Sequence, residues 1–530
     1  MKIPKNAIRF IKRRSVNVAA LAAVAAVSVA PISHGAAAGR AEHVVIVVWD
    51  GMRPDFVTQP HAPTLFELAR QGTFFERHHP VYISTTEVNG AAINTGVYPE
   101  HSGIIANTEY RPLIDSLNPV AMEEPKTVRR GDEVSGGHYI AVPTLAEIIQ
   151  GAGYRTVVIS PKGVALLFDR AEARTSAGAK DSVDFARGGV LPPSALATLV
   201  AANGGKPFPA KQTVPNAAQD EWATKALTGG LWKDGVPKLS VLWMSDPDWS
   251  QHDGAPGSPA ALAAVQSVDR NLAAVLRALD EKKVRDKTDV FVVSDHGFST
   301  VTLHADIAEE LTKAGFHAAR KLKKPAAGDV LVIGLGGSIS FYVVGHDAAV
   351  IRKLTAFLQA SDFAGVIFSR AALEGTFPLE QVRVNSADAP DLLVSMKWSA
   401  DTNRYGAPGL FISDSKKKGS HGSLSPFDMH NTLVAAGPDF KTGFRDQLPT
   451  GNADLAPTIL WILGIPPPQP MDGRVLSEAL TDTVEPGAIP RQTTIEASHD
   501  GERFHWRQHL KFSAVGGAIY FDEGNGQSAP

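Results

Sequence analysis

The sequence predicts an α/β fold: a doubly wound, mostly parallel sheet that carries an inserted, partly β lobe. Three observations point there. Continuous apolar runs of strand length recur at His43–Trp49, Tyr154–Ser160, Leu239–Ser245 and Val290–Ser294, without the polar alternation of a half-exposed strand. Helical patterns lie between them, at Pro63–Gln71, Pro143–Gly151 and Ala260–Leu279, and strands alternating with helices build a sheet covered on both faces. Three of the runs end in acid-bearing turns, Trp49-Asp50-Gly51, Asp246-Pro247-Asp248 and Ser294-Asp295-His296-Gly297. Ligands gather at the carboxyl ends of strands in such sheets, so the chemistry is expected at these turns.

Taken from the N-terminus, residues 1–38 read as a signal peptide. Lys2, Lys5, Arg9, Lys12, Arg13 and Arg14 precede an Ala/Val-rich run from Val16 to Ala30 and then small residues. The run is shorter than the roughly 20 residues a membrane span needs, so no stable anchor is expected after its removal. Arg13-Arg14 suits twin-arginine export as well as ordinary secretion, and the expected location is periplasmic or extracellular. A catalytic domain is assigned to 43–327 and 409–490. Leu191–Leu227, rich in Ala, Pro and Lys, reads as an excursion or cap. Over 328–408 the texture shifts to short alternating segments such as Gly337–Val344 and Gln381–Val384, the inserted lobe. Asn452–Leu463 reads as a helix, 491–530 as a C-terminal extension, and Gly524–Pro530 as a frayed polar tail.

Composition narrows the chemistry. At 530 residues the chain exceeds the roughly 250–300 at which single cores stop growing, so more than one packed unit is expected. A 44% hydrophobic content with 23 Phe and 8 Trp excludes wholesale disorder. A net charge of −3 provides no field for gripping nucleic acid or an anionic membrane, so any phosphate binding falls to metals and a few local donors. The absence of cysteine excludes disulfides, thiolate catalysis and Cys-ligated zinc, leaving His, Asp and Glu as metal ligands.

Each polar residue at a strand end has a bland explanation alone: Asp50 as a helix cap, Asp295-His296-Gly297 as a turn, His421 as a solvated loop residue. Together they form a constellation. Asp248 and His252, four apart, share one face of a helical turn, and Asp295 and His296 adjoin. With Asp50 and His421 they supply enough ligands for two metal ions. His421 lies in Gly419-Ser420-His421-Gly422, where small neighbours allow the backbone close to a buried ion. Thr85 and Thr86 precede a small-residue helical stretch; either could cap that helix, or a metal could make one an alkoxide nucleophile at a helix N-terminus suited to an anion.

These residues resemble the alkaline phosphatase superfamily, specifically its nucleotide pyrophosphatase/phosphodiesterase branch, from Val44 to about Leu476. The resemblance implies an alkaline phosphatase-like fold and a zinc-dependent hydrolase of phosphate esters, most suitably phosphodiesters or nucleotide pyrophosphates. It makes Thr86, nine residues before Thr95-Gly96, the nucleophile of a phospho-threonine mechanism. Asp50, Thr86, Asp295 and His296 would hold one zinc, and Asp248, His252 and His421 the other; manganese or iron is chemically admissible. Asn107 resembles the asparagine that binds a phosphoryl oxygen.

Three departures bear on substrate. Glu87-Val88-Asn89-Gly90 follows Thr86 where the branch has Phe-Pro-Asn-His, so only Asn89 matches; Glu87 is expected to be solvated, or else to repel a second substrate charge. His101-Ser102-Gly103 replaces Ser-His-Gly, and His101 is read as structural. Lys162 sits where monoesterases and phosphonoacetate hydrolases of the superfamily place a lysine, but their second basic residue is Val164 here. Lys162 is therefore either a phosphoryl ligand, giving the alternative of a phosphomonoesterase or phosphonoacetate-type hydrolase, or a surface residue. A sulfatase is disfavoured because no Cys/Ser-x-Pro-x-Arg string surrounds Thr86, and a non-catalytic binding protein because all six ligands and the hydroxyl are present.

Overall fold

A computed structural model describes residues 39–483 and 489–530. The expected signal peptide, 1–38, lies outside the described residues.

Nine strands form the central sheet: β1 (His43–Trp49), β2 (Thr73–His79), β3 (Thr156–Ser160), β4 (Val183–Ala186), β5 (Gly189–Leu191), β6 (Leu239–Met244), β7 (Thr288–Val293), β8 (Leu433–Ala436) and β9 (Phe444–Gly451), in the order β9-β2-β8-β7-β1-β6-β3-β4-β5. The five central strands from β7 to β4 are all parallel, β8 is antiparallel to both its neighbours, and β5 closes the far edge antiparallel. The alternating side chains of β1 explain why its sequence is apolar throughout: Val44, Ile46 and Val48 enter one core, Val45, Val47 and Trp49 the other. Helix α1 (Thr86–Thr95), with Leu145–Gly151 and Leu455–Leu463, covers the first face; Pro63–Gln71 and Pro259–Glu281 cover the second. Pro259–Glu281 begins at a Ser258 side chain that accepts from the Ala261 N–H, and buries Ala264, Val268, Leu272, Val275 and Leu279 at helical spacing. Each fully buried Val or Leu among them contributes roughly 1.5–3 kcal/mol.

A six-stranded sheet draws on residues 318–396 with helix Ala348–Gln359 against it. Gln381–Val384, expected as an alternating β segment, instead spans the end of the short 3-10 helix Leu379–Val382 and the two residues after it. Leu191–Leu227 forms helices that pack Leu199, Trp222 and Leu227 into the second core. Arg491–Asp500, His505–Val515 and Ala518–Ala529 make a three-stranded antiparallel sheet, so Gly524–Pro530, expected as a frayed tail, is paired as the end of the last strand as far as Ala529. Trp506, Leu510 and Phe521 of this sheet are buried against the lobe. Among the described residues no helix is long and apolar enough to cross a membrane.

Candidate active site

The carboxyl ends of three adjacent parallel strands, β7, β1 and β6, set the floor of the site. Asp50 follows β1 directly, Asp295 lies two residues beyond β7, and Asp248 opens α2 (Asp248–Gly254) after β6. The chain turns sharply at Gly51, at φ +71°, where its N–H donates to Asp295 Oδ1 at 3.0 Å and a Cβ would lie 3.1 Å from the Asp248 Cα. His252 shares the face of α2 with Asp248, as the four-residue spacing predicts, its Nε2 3.3 Å from Asp248 Oδ1. His421 arrives from the loop after the short strand Gly419–Ser420 with its Nε2 3.4 Å from the same oxygen. Gly422, at φ +99°, allows this approach, since a Cβ there would meet the Leu335 carbonyl at 2.6 Å.

The six carboxylate and imidazole residues divide into two groups, Asp50/Asp295/His296 and Asp248/His252/His421, within each of which the ligand atoms lie within 4.8 Å of one another. His296 and His421 stack between the groups with ring centroids 3.6 Å apart. Each of the three histidines gives its Nδ1–H to a backbone carbonyl: His252 to Gly419, His296 to Gly297 and His421 to Ser84, at 2.8–2.9 Å. In the neutral tautomer each Nε2 then carries a lone pair toward a carboxylate oxygen, His296 at 3.2 Å from Asp295 Oδ2 and 3.6 Å from Asp50 Oδ1. Acceptor faces acceptor. Asp50 Oδ1, Asp248 Oδ1 and Asp295 Oδ2 are buried without a hydrogen-bond partner. A cation between each set would satisfy both kinds of atom, and the ligand-to-ligand spacing is that of donors about 2.0–2.2 Å from one zinc ion. The donor set therefore fits two divalent metals. Burial, and then the neighbouring Asp295, push the Asp50 carboxyl well above the usual carboxylate range, while burial and His296 push His421 well below that of histidine.

Thr86 is the first residue of α1, and its Oγ1 lies 3.4 Å from His296 Nε2. Neither Thr85 nor Thr86 makes a side-chain cap, which removes the bland reading of this pair. Asp50 likewise caps nothing: its Oδ2 accepts from Lys162 Nζ and from Trp243 Nε1, both at 2.7 Å. Lys162 is no surface residue. Besides Asp50, its Nζ reaches Thr86 Oγ1 at 3.3 Å and Asp248 Oδ2 at 3.6 Å. Burial opposes its charge, but Asp50, Asp248 and Asp295 hold its pKa well above the ordinary lysine value. Asn107 Oδ1 accepts from the Glu87 N–H at 3.1 Å. A cavity of about 360 Å³ opens on Thr85, Asn107, His252 and His421, with Arg320 and Lys417 also lining it.

Glu87 corrects the expectation of a solvated residue. It is 5% exposed, its Oε2 has no hydrogen-bond partner, and burial followed by Glu123 raises its pKa well above the carboxylate range. His101 stands outside the site and pairs with Asp472 at 2.7 Å. Three supporting residues escaped sequence reasoning. Trp243 orients Asp50; Asn452 gives Nδ2–H to the Asp295 carbonyl at 2.8 Å and to Asn89 Oδ1 at 2.9 Å; and Gln251 bonds the Gly51 carbonyl at 2.8 Å. Asn89, the one residue matching the expected string after Thr86, had carried a signal. Its Oδ1 also accepts from the Val81 N–H and so pins the loop ahead of Thr86 to α1.

The chain is similar to several known proteins. It is 24% identical over 235 residues to human ectonucleotide pyrophosphatase/phosphodiesterase family member 1, covering 44% of this chain and 21% of that protein. It is 23% identical over 416 residues to venom phosphodiesterase of Macrovipera lebetinus, covering 75% and 40%. The chain thus spans less than half the length of these relatives. Murine ectonucleotide pyrophosphatase/phosphodiesterase 5, solved as an inactive variant in complex with AMP, superposes with a TM-score of 0.59 at 16% identity, over 83% of this chain and all of that one, and shares the fold. The type I phosphodiesterase / nucleotide pyrophosphatase family model matches residues 44–424, and the chain belongs to that family.

Proposed function

We propose that the protein is an exported two-metal hydrolase of phosphodiesters or nucleotide pyrophosphates that works through a phospho-Thr86 intermediate. The observation that carries this reading is the position of Thr86: a hydroxyl on the first residue of a helix, 3.4 Å from His296 and 3.3 Å from Lys162, beside two carboxylate–imidazole groups with partnerless oxygens. Asp50, Thr86, Asp295 and His296 would hold one ion and Asp248, His252 and His421 the other, zinc being the metal this mixed donor set suits best. Bound there, such ions supply Lewis acidity that makes a hydroxyl or water nucleophilic near neutral pH and stabilises entering and leaving oxygens.

The residues of the chain do the rest. Thr86 Oγ attacks phosphorus in line with the leaving oxygen, and the P–O bond to the leaving group breaks as the Thr86–phosphorus bond forms. Water arriving from the opposite side then hydrolyses the phospho-threonine and regenerates the hydroxyl. Asn107, its Oδ1 fixed by the Glu87 N–H, keeps two Nδ2 donors for a non-bridging oxygen. The free N–H groups and dipole at the start of α1 favour negative charge at the same place. The cavity at His252 and His421 suits the leaving group, and the lobe assigned to 328–408 supplies part of its rim through Gly334, Leu335 and Gly336, beside Asp414, Ser415 and Lys417. The AMP bound to the murine relative supports a nucleotide among the substrates.

Lys162 favours a second reading. An ammonium 3.3 Å from the nucleophile suits a dianionic monoester or phosphonate better than a singly charged diester. A paired assay on bis-p-nitrophenyl phosphate and p-nitrophenyl phosphate, with and without zinc and with Thr86→Ala as control, separates the two. Diester preference lost in the variant supports the first; monoester preference supports the second; inactivity on both with zinc present overturns both for these substrates.

A further inference from the structure

The donor arrangement of the active site recurs elsewhere. His79, at the end of β2, His430, just before β8, and Asp522, in the strand Ala518–Ala529, bring two imidazoles and a carboxylate together with ligand atoms within 4.8 Å of one another. His79 gives its Nδ1–H to the Thr450 carbonyl at 2.9 Å, as each active-site histidine does to its own carbonyl. In the neutral ring its Nε2 then carries a lone pair toward Asp522 Oδ1 at 3.2 Å, the spacing of His296 Nε2 to Asp295 Oδ2; in the doubly protonated ring the same contact is a hydrogen bond to the carboxylate, which a bound ion would replace. The Nε2 atom of His430 is buried without a hydrogen-bond partner, and its ring lies edge-on to that of His79 with centroids 4.6 Å apart.

We propose that His79, His430 and Asp522 bind a third divalent transition-metal ion, a structural one. Two imidazoles and one carboxylate are a borderline donor set that selects zinc or a neighbouring transition ion over calcium or magnesium, which take oxygen ligands. A water completes four-coordination. Ser513 Oγ donates to Asp522 Oδ2 at 2.8 Å and orients the carboxylate. Arg77 Nη2, 3.3 Å from Asp522 Oδ1, is the competing cation, and Tyr520 flanks the His79 ring.

The ion would fasten three chain segments far apart in sequence, and it sits directly behind the active site. His78, next to His79, reaches Asn452 Oδ1 with its Nε2–H at 2.9 Å, and Asn452 holds the Asp295 carbonyl. Asn431, next to His430, donates to the Ser294 carbonyl.

Metal content after exchange into zinc and desalting tests the site. His430→Ala should hold one ion fewer per chain than wild type, and its thermal midpoint should respond less to a chelator. In an Asp50→Ala/Asp248→Ala background, which breaks both active-site groups, one ion should remain and be lost on adding Asp522→Asn. Equal metal content in wild type and His430→Ala overturns the proposal. Should the variants not fold, zinc-edge anomalous scattering from crystals of the wild-type protein decides: density between His79 Nε2 and Asp522 supports the site, and its absence at saturating zinc overturns it. An inactive protein that still binds this ion would refute the hydrolase reading and leave this inference standing.

Discussion

Lys162 Nζ lies 2.7 Å from Asp50 Oδ2, so the lysine stands inside the carboxylate floor of the site. Its neighbour on the other side is Thr86 Oγ1 at 3.3 Å. An extra unit of substrate charge about 4 Å from this ammonium is worth up to about 4 kcal/mol at an effective dielectric near 20. Lys162→Met should lower kcat/KM for a monoester at least roughly tenfold more than for a diester. Equal losses on both, in steady-state assays at one pH, would mean that Lys162 serves Asp50 and Thr86 rather than the phosphoryl oxygens.

Thr86→Ala removes the proposed attacking atom, and with it the hydroxyl that meets His296 Nε2 and Lys162 Nζ, but no helix cap. The variant should lose about 10³-fold or more in kcat but stay folded, with a thermal midpoint lowered no further than metal removal lowers it, while Thr86→Ser should retain measurable turnover and trap a phospho-enzyme on rapid quenching. Full activity in the alanine variant would remove Thr86 from the reaction.

Chelation should abolish activity and also destabilise the fold. Without a cation, Asp50, Asp248 and Asp295 keep buried oxygens with no partner. A ligand present at 1,000 times its Kd stabilises by about 4 kcal/mol, so readdition of zinc should raise the midpoint by several degrees. A midpoint indifferent to metal would count against the two groups as metal sites.

Glu87→Gln should be stabilising, and more so at higher pH. Burial and Glu123 raise the folded-state pKa of Glu87, so its stabilising contribution is complete below the unfolded carboxylate value near 4.5 and is lost as pH rises through the folded value. The amide avoids that loss. Urea unfolding at pH 5 and pH 8 gives the two differences; a smaller gain at pH 8 would contradict the burial argument.

His78 is buried between Thr450 Oγ1 and Asn452 Oδ1, each at 2.9 Å, and burial pushes it down to about 3. The folded protein keeps it neutral, so its contribution is present above the unfolded value near 6.5 and disappears as pH falls toward 3. This one group should cost about 1.4 kcal/mol per pH unit in that window. His78→Gln should flatten the slope of unfolding free energy between pH 6 and pH 4 by about one proton, measured by denaturant titration.

The sequence by itself determined the four buried strands at the middle of the sheet, β7, β1, β6 and β3, and the acid and imidazole residues that gather beside their ends. Strands buried on both faces have no choice but to be apolar throughout, and at their carboxyl ends an aspartate stands out against that background, as Asp50 and Asp295 do. Asp248 and His252 were legible because a helical turn is a local geometry. The C-terminal sheet was not, since Arg491–Asp500 half-buries only alternate residues and the last strand turns polar at Gly524–Pro530, which reads as a tail. Tertiary structure alone decided what depends on long-range approach. It buried Glu87 against Glu123, swung Lys162 between Asp50 and Thr86, ran Asn452 between His78 and Asp295, and drew His79, His430 and Asp522 together. Those contacts join segments separated by up to several hundred residues, and a side chain's chemistry there follows from the desolvation and charges that the packed fold places around it.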